Sequence, residues 1–142
     1  LGLISSHDYK SKYNTYKVRG NSNSVGLTQF RWKWVEDDDE LYRKKGKKGS
    51  LKDKLAAIGI TSNRDFMDPK NAAKATAAIL AYYYKTRAIR SGPNKGKKMK
   101  VSDIPDTLPR EWAGGDSDEK RRDTYARNAI KNSEYLTIMQ KK

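Results

Sequence analysis

Cysteine and histidine, two residue types that often act as nucleophiles or metal ligands, are almost absent from this chain. Its 142 residues include no cysteine and a single histidine, His7, which excludes disulfides, thiolate nucleophiles, Cys-ligated zinc and a multi-histidine metal site. The sequence contains no Gly-x-Ser-x-Gly, Gly-x-Gly-x-x-Gly or Walker-type run. Chemistry is therefore left to carboxylates, with no metal and no organic cofactor expected, or the chain acts by binding alone.

The distribution of charge favours a polyanionic partner. The formal net charge is +14, and two basic runs, residues 43–48 and 95–100, lie where we expect segments between helices. They are either solvated loops or a surface for a polymer such as nucleic acid, teichoic acid or peptidoglycan. We interpret the acidic run 36–40 as solvated or as a partner of the neighbouring lysines. No apolar run is long enough for a membrane span.

One short run can be interpreted by its likeness to a known family. Residues 24–29, Ser-Val-Gly-Leu-Thr-Gln, resemble the Ser-x-x-Gly-Ala-x-Gly-Leu-Met-Gln signature of the lysozyme-like superfamily, in particular soluble lytic transglycosylases, goose-type lysozymes and phage virion lysozymes. Two similar landmarks follow in the same order. Residues 66–73, Phe-Met-Asp-Pro-Lys-Asn-Ala-Ala, resemble the start of the helix behind the sugar cleft; residues 112–115 and 125–130 resemble the Tyr-Asn-x-Gly turn and the closing helix.

The resemblance implies catalysis by one glutamic acid ahead of the Gly-Leu-Met-Gln run. A protonated carboxyl in an apolar cleft has a raised pKa and donates to the glycosidic oxygen. In lytic transglycosylases the same group then accepts the proton of the muramoyl 6-hydroxyl, whose oxygen closes an anhydro ring. The ungapped alignment here places His7 at that position, beside Asp8. Either Asp8 supplies the carboxyl, or the glutamate lies upstream of Leu1, or the fold serves binding with catalysis lost or altered.

The resemblance also implies substrate-binding roles for Ser24, Gln29 and Tyr125. It implies that Gln29 lines the cleft and touches substrate, that Ser24 holds the catalytic carboxyl, and that Tyr125 faces the catalytic centre. The residue types alone allow other interpretations. Gln29 could be a polar residue at a helix N-terminus, Ser24 a turn or N-cap serine, and Tyr125 a core residue of the last helix.

Three helices would position these residues. Asp68 and Pro69 begin a helix over about 69–90, which the run Ser-Gly-Pro at 91–93 should end. A second, over 51–58, has Ser50 and Asp53 as a capping box and Gly59 at the expected C′ position. A third starts at Asp116 or Ser117 and carries an apolar face made of Tyr125, Ala129, Ile130, Leu136 and Met139.

Two aromatic groups allow a prediction of burial. Trp32 and Trp34 alternate with Arg31 and Lys33, which could suit sugar stacking or nucleic-acid contact. Two aromatic residues at positions i and i+2 more often give one buried and one half-exposed ring. The three consecutive tyrosines 82–84 must point around their helix, so at most two of them can lie in the core.

The N-terminal part completes the expected fold. Residues 1–7 are typical of the end of another helix, and residues 9–24 of a hairpin or a long loop. We expect a mostly α, lysozyme-like single domain over residues 1–142, with a small β-hairpin or long loop near the N-terminus. The chain starts at Leu1 rather than at methionine, so we expect a processed or trimmed piece of a longer product.

These expectations combine into two functional hypotheses. The first is a muralytic enzyme that cleaves the MurNAc–GlcNAc bond of peptidoglycan and is delivered to the periplasm or cell wall by a phage virion or a secretion machine, whose other proteins would be partners. The alternative is a catalytically inactive, basic structural or nucleic-acid-binding protein on a lysozyme-like scaffold.

Overall fold

The fold is known over most of the chain beyond residue 25. The computed structural model describes residues 26, 28, 30–90, 92–112 and 119–140, with side chains as far as residue 134. The chain forms two compact units, residues 4–79 and residues 80–142 with 1–3, here called the N-terminal and the C-terminal unit. Over the described residues it is mostly helical, with isolated β-bridges and no β-strand, which confirms the mostly α class. The single-domain organisation stays a prediction.

The N-terminal unit is built from short helices around a compact core. Its helices are α1 (Lys33–Lys44), α2 (Leu51–Ala57), a 3-10 helix over Asn63–Met67, and the first part of α3 (Pro69–Thr86), since the boundary between the units falls after Ile79. The apolar side chains that these helices bury form the core of this unit: Phe30, Val35, Leu51, Leu55, Ile60, Phe66, Ala72, Ala75 and Ile79.

Helix α1 contains the acidic run 36–40, and this corrects part of its interpretation. Asp39 is only 7% exposed; it accepts a hydrogen bond from the Ser50 hydroxyl at 2.9 Å and pairs with Arg43 at 2.8 Å. The Asp38 carboxylate accepts from the backbone N–H of Leu51 at 2.8 Å. These two carboxylates hold the start of α2 and are not simply solvated. The remaining acids of the run do pair with nearby lysines: Glu36 with Lys52, Asp37 with Lys33 and Glu40 with Lys44.

The C-terminal end of α2 follows the expected capping chemistry, and the capping box predicted at its start is formed only in part. The Ser50 side chain accepts from the backbone N–H of Asp53, while the Asp53 carboxylate accepts from Gly49 rather than from Ser50 itself. At the other end Gly59 has φ +84° and donates to Ala56, and Ile60 donates to Leu55. This pair of bonds is a Schellman closure, and it returns Ile60 to the core.

Helix α3 begins as predicted and ends earlier. The Asp68 carboxylate accepts from the N–H of Asn71 at 3.3 Å, the N-cap role predicted from the Asp-Pro pair. The helix ends at Thr86 rather than near residue 90, because the chain then turns into a hairpin. In that hairpin Ile89 donates to Lys97 at 3.0 Å and Ala88 forms an antiparallel bridge with Lys98.

The C-terminal unit continues from this hairpin. A 3-10 helix over Val101–Asp103 leads into α4 (Ile104–Trp112), which sequence reasoning missed and which packs against α5 (Glu119–Gln140). An ion pair between Arg110 of α4 and Asp123 of α5 joins the two helices. The core of this unit consists of Leu80, Tyr82, Tyr83, Ile89, Met99, Leu108, Ala126 and Ala129. Two of the three consecutive tyrosines are thus buried, as predicted.

Several predictions concern residues outside the described part of the chain. They include the N-terminal helix end, the hairpin or loop over 9–24 and the start of the last helix at Asp116 or Ser117. The side chains of Leu136 and Met139 also lie outside it. The last helix itself is confirmed, with Ala126 and Ala129 on its buried face.

Candidate functional site

Gly26 of the glycine motif lies directly against the backbone of Phe66. Its φ is +86°, a left-handed conformation that glycine adopts without steric cost. A Cβ atom at this position would lie 2.2 Å from the Phe66 carbonyl oxygen, far inside van der Waals contact. A side chain at position 26 would therefore force apart two segments that belong to different sequence landmarks.

A hydroxyl pair ties the same motif to α3. The Oγ1 atoms of Thr28 and Thr76 lie 3.0 Å apart across 48 residues of sequence, and either can donate. Thr76 is 7% exposed and shares the buried stripe of α3 with Ala72, Ala75 and Ile79. Sequence analysis gave Thr76 no role. The available signal was a hydroxyl on an otherwise apolar face, since a buried hydroxyl needs a hydrogen-bonding partner.

Aromatic side chains fill the space beside this junction. The rings of Phe30 and Phe66 stack with centroids 5.1 Å apart, and Trp32 meets Phe66 edge-on at 6.4 Å. Phe66 is fully buried and Phe30 is 4% exposed. The structure thus brings together the first two landmarks, the segment carrying Gly26 and Thr28 and the segment that leads from Phe66 into α3. We call this arrangement the glycine junction.

An exposed tryptophan lies near the start of α1 in the same unit. Trp34 is 37% exposed, and the charged ends of Arg31 and Lys33 lie 5.5 and 5.7 Å from its ring centroid. Trp32 is half-buried, so the expected pattern of one buried and one half-exposed ring is wrong for this pair. An exposed ring flanked by cations offers a flat apolar face and positive charge to a ligand.

Glu36, the carboxylate that follows these tryptophans in the sequence, has two hydrogen-bond donors that favour its ionised form. The Trp32 indole N–H donates to Glu36 at 2.9 Å, and the Lys52 ammonium donates to the other carboxylate oxygen at 3.1 Å. The first of these hydrogen bonds, followed by the second, lowers the pKa of Glu36 below its ordinary value. A general acid needs a raised pKa, so Glu36 is unsuited to that role.

Four of the predicted site residues lie outside the described part of the chain: His7, Asp8, Ser24 and Gln29. Tyr125 is described. It is half-buried on α5 with its hydroxyl oxygen shielded from solvent, one position before the fully buried Ala126. This position fits a packing residue of the C-terminal unit. A core position on the last helix was one of the two interpretations of Tyr125, and a position facing the catalytic centre was the other.

No protein-family model, curated protein or solved structure matches the chain. Among the described residues no cluster of histidine, cysteine or acidic side chains could hold a metal ion. No helix in the same part of the chain is long and apolar enough to cross a membrane.

Proposed function

We propose that the chain is a peptidoglycan-degrading enzyme of the lysozyme-like type, which cleaves the MurNAc–GlcNAc bond by carboxyl acid/base catalysis. The observation that supports this most is the glycine junction. It joins two runs that resemble the family's signature, and it does so through a backbone contact at Gly26 and a hydroxyl pair between Thr28 and Thr76. The resemblance requires this neighbourhood, because the Gly-Leu-x-Gln segment and the helix behind the sugar cleft border the same site.

The proposed chemistry needs one protonated carboxyl and no metal. That carboxyl donates its proton to the glycosidic oxygen as the bond breaks. In a transglycosylase it then takes the proton of the muramoyl 6-hydroxyl, which attacks C1 and closes the anhydro ring; in a hydrolase water attacks instead. Asp8, with His7 beside it, is the candidate within this chain, and a glutamate upstream of Leu1 is the other. Ser24 would hold the carboxyl, and Gln29 and Tyr125 would touch the sugar chain.

The decisive experiment is a clearing assay on purified peptidoglycan with the full-length protein. We expect loss of turbidity and new muramic ends, anhydro ends for a transglycosylase and reducing ends for a hydrolase. Asp8→Asn should abolish clearing if Asp8 is the acid, whereas Asp106→Asn, which removes an exposed carboxylate on α4, should leave the rate unchanged. Clearing by both variants assigns the acid to another residue.

The competing function is a basic structural or nucleic-acid-binding protein on the same scaffold. The net charge of +14 favours it. No clearing by the full-length protein, together with strongly salt-dependent DNA binding, would overturn the enzymatic proposal and support this one. Delivery by a phage virion or a secretion machine belongs to the first proposal, and co-purification with such an assembly tests it.

A further inference from the structure

The C-terminal unit contains an open cleft in which half of the lining residues are cationic. It has a volume of about 590 Å³ and lies between the end of α3, the hairpin and α5. The charged residues that line it are Arg87, Arg90, Lys95 and Arg122. All of them belong to the C-terminal unit, whereas the glycine junction belongs to the N-terminal unit. A role for this cleft therefore does not rest on the proposed function.

Two of these arginines are fixed by one buried carboxylate. Glu111 of α4 has a side chain only 2% exposed; it accepts from Arg87 at 2.7 Å and from Arg90 at 2.9 Å. The guanidinium carbon of Arg87 also lies 3.8 Å from the ring centroid of Tyr83. Because these contacts form on folding, a ligand of the cleft would not have to order the two arginine side chains.

The other two cations, Lys95 and Arg122, have no ion-pair partner within the described part of the chain. The Nε atom of Arg122 is buried and lacks a hydrogen-bond acceptor among the same residues. A buried donor without an acceptor destabilises the fold. An oxyanion in the cleft would accept from this donor. Among the described residues, Glu111 is the carboxylate that forms ion pairs with the cations lining the cleft.

We propose that this cleft binds the phosphodiester groups of a linear polyanion. Guanidinium groups present paired N–H donors that match the oxygens of a phosphate, and three of the four cations are arginines. The cleft is open and larger than one phosphate group requires, which suits a chain that passes through it. The exposed Lys97, Lys98 and Lys100 of the hairpin segment extend the positive surface beyond the cleft and would meet successive phosphates.

The test measures binding of two phosphodiester polymers to the intact chain by fluorescence anisotropy. The probes are a labelled oligothymidylate and a labelled poly(glycerol phosphate) of equal charge; hyaluronate of equal charge supplies carboxylates instead. We expect both phosphodiester polymers to bind and hyaluronate to bind more weakly. Lys95→Gln and Arg122→Gln should each weaken phosphodiester binding by about 3- to 10-fold and lower the slope of log K against log salt by about 0.7.

The matched control is Arg121→Gln, the same change at the exposed neighbouring position on α5. It should leave the affinity within about twofold, since it removes a cation outside the cleft. Thermal unfolding followed by circular dichroism checks that each variant is folded. Tighter binding of one phosphodiester polymer identifies the source of the natural ligand. Equal losses in the control and the cleft variants, equal binding of hyaluronate, or no binding of either phosphodiester polymer would each overturn the proposal.

Discussion

Gly26 is the residue whose replacement the structure constrains most. In Gly26→Ala the new Cβ meets the Phe66 carbonyl oxygen at 2.2 Å. Gly49 has nearly the same φ, +87°, with no atom within 4 Å of its Cβ position, so Gly49→Ala carries the backbone cost alone, about 1–2 kcal/mol. We expect Gly26→Ala to lower the free energy of unfolding by about 1–3 kcal/mol more, measured by urea denaturation. Equal losses in the two variants would show that the close approach is absent.

Glu36 gives a second prediction at this scale, a pH dependence. Trp32→Phe removes the indole donor, so the pKa of Glu36 should rise toward its ordinary 4.5. A lowered pKa stabilises the fold above the ordinary value, and this stabilisation is lost as the pH falls through the lowered pKa. In the variant, the free energy of unfolding should therefore fall less as the pH is lowered through the pKa of Glu36. A carbon-13 NMR titration of the Glu36 carboxyl measures the change in its pKa. Trp34→Phe is the control, and an identical Glu36 titration in both variants would contradict the assignment.

At the scale of elements, the start of α2 depends on one hydroxyl. Ser50 is 1% exposed; its hydroxyl accepts from the N–H of Asp53 and donates to the buried Asp39. Ser50→Ala should therefore cost about 2–4 kcal/mol, the sum of a lost N-cap and a buried acceptor left without its donor. Thermal or urea unfolding measures this. Ser102→Ala, at an exposed serine, should change stability by less than about 0.5 kcal/mol, and a Ser50→Ala effect as small would refute the capping role.

Helices with strong terminal signals were predictable from the sequence, and helices held by tertiary contacts were not. Ser50 and Gly59 bracket α2 closely, and Asp68 begins α3. Helix α4 escaped prediction because Pro109 lies inside it and removes a backbone donor, so its packing against α5 has to offset the local penalty. The end of α3 was misplaced because the bond from Ile89 to Lys97 depends on a distant hairpin partner.

For the candidate sites, the sequence allowed residues to be named, but it did not allow their contacts in the folded chain to be predicted. The likeness of residues 24–29 and 66–73 to one family predicted that they would serve one site, yet the contact between Gly26 and Phe66 depends on a three-dimensional approach that no local pattern encodes. The basic cleft was beyond prediction for the same reason. Arg122 is far from Arg87 in sequence, and nothing in its surroundings marks it as a partner of the hairpin.

At the scale of the whole molecule, the net charge of +14 should oppose compaction. Raising NaCl from about 0.01 M to about 0.15 M shortens the Debye length from about 30 Å to about 8 Å. We expect the melting temperature to rise over this range, because screening of the excess positive charge outweighs the loss of exposed ion pairs such as Lys33–Asp37. A neutral osmolyte at equal osmolality is the control. A falling melting temperature would show that the ion pairs dominate.

Hydrogen exchange at the C-terminal end of α2 can report local opening of the structure. The amide hydrogens of Gly59 and Ile60 are bonded to the Ala56 and Leu55 carbonyls, and Ile60 is fully buried. Neither hydrogen can exchange with deuterium while the helix keeps this closure. Their exchange rates therefore record how often this closure opens, without any substitution in the chain.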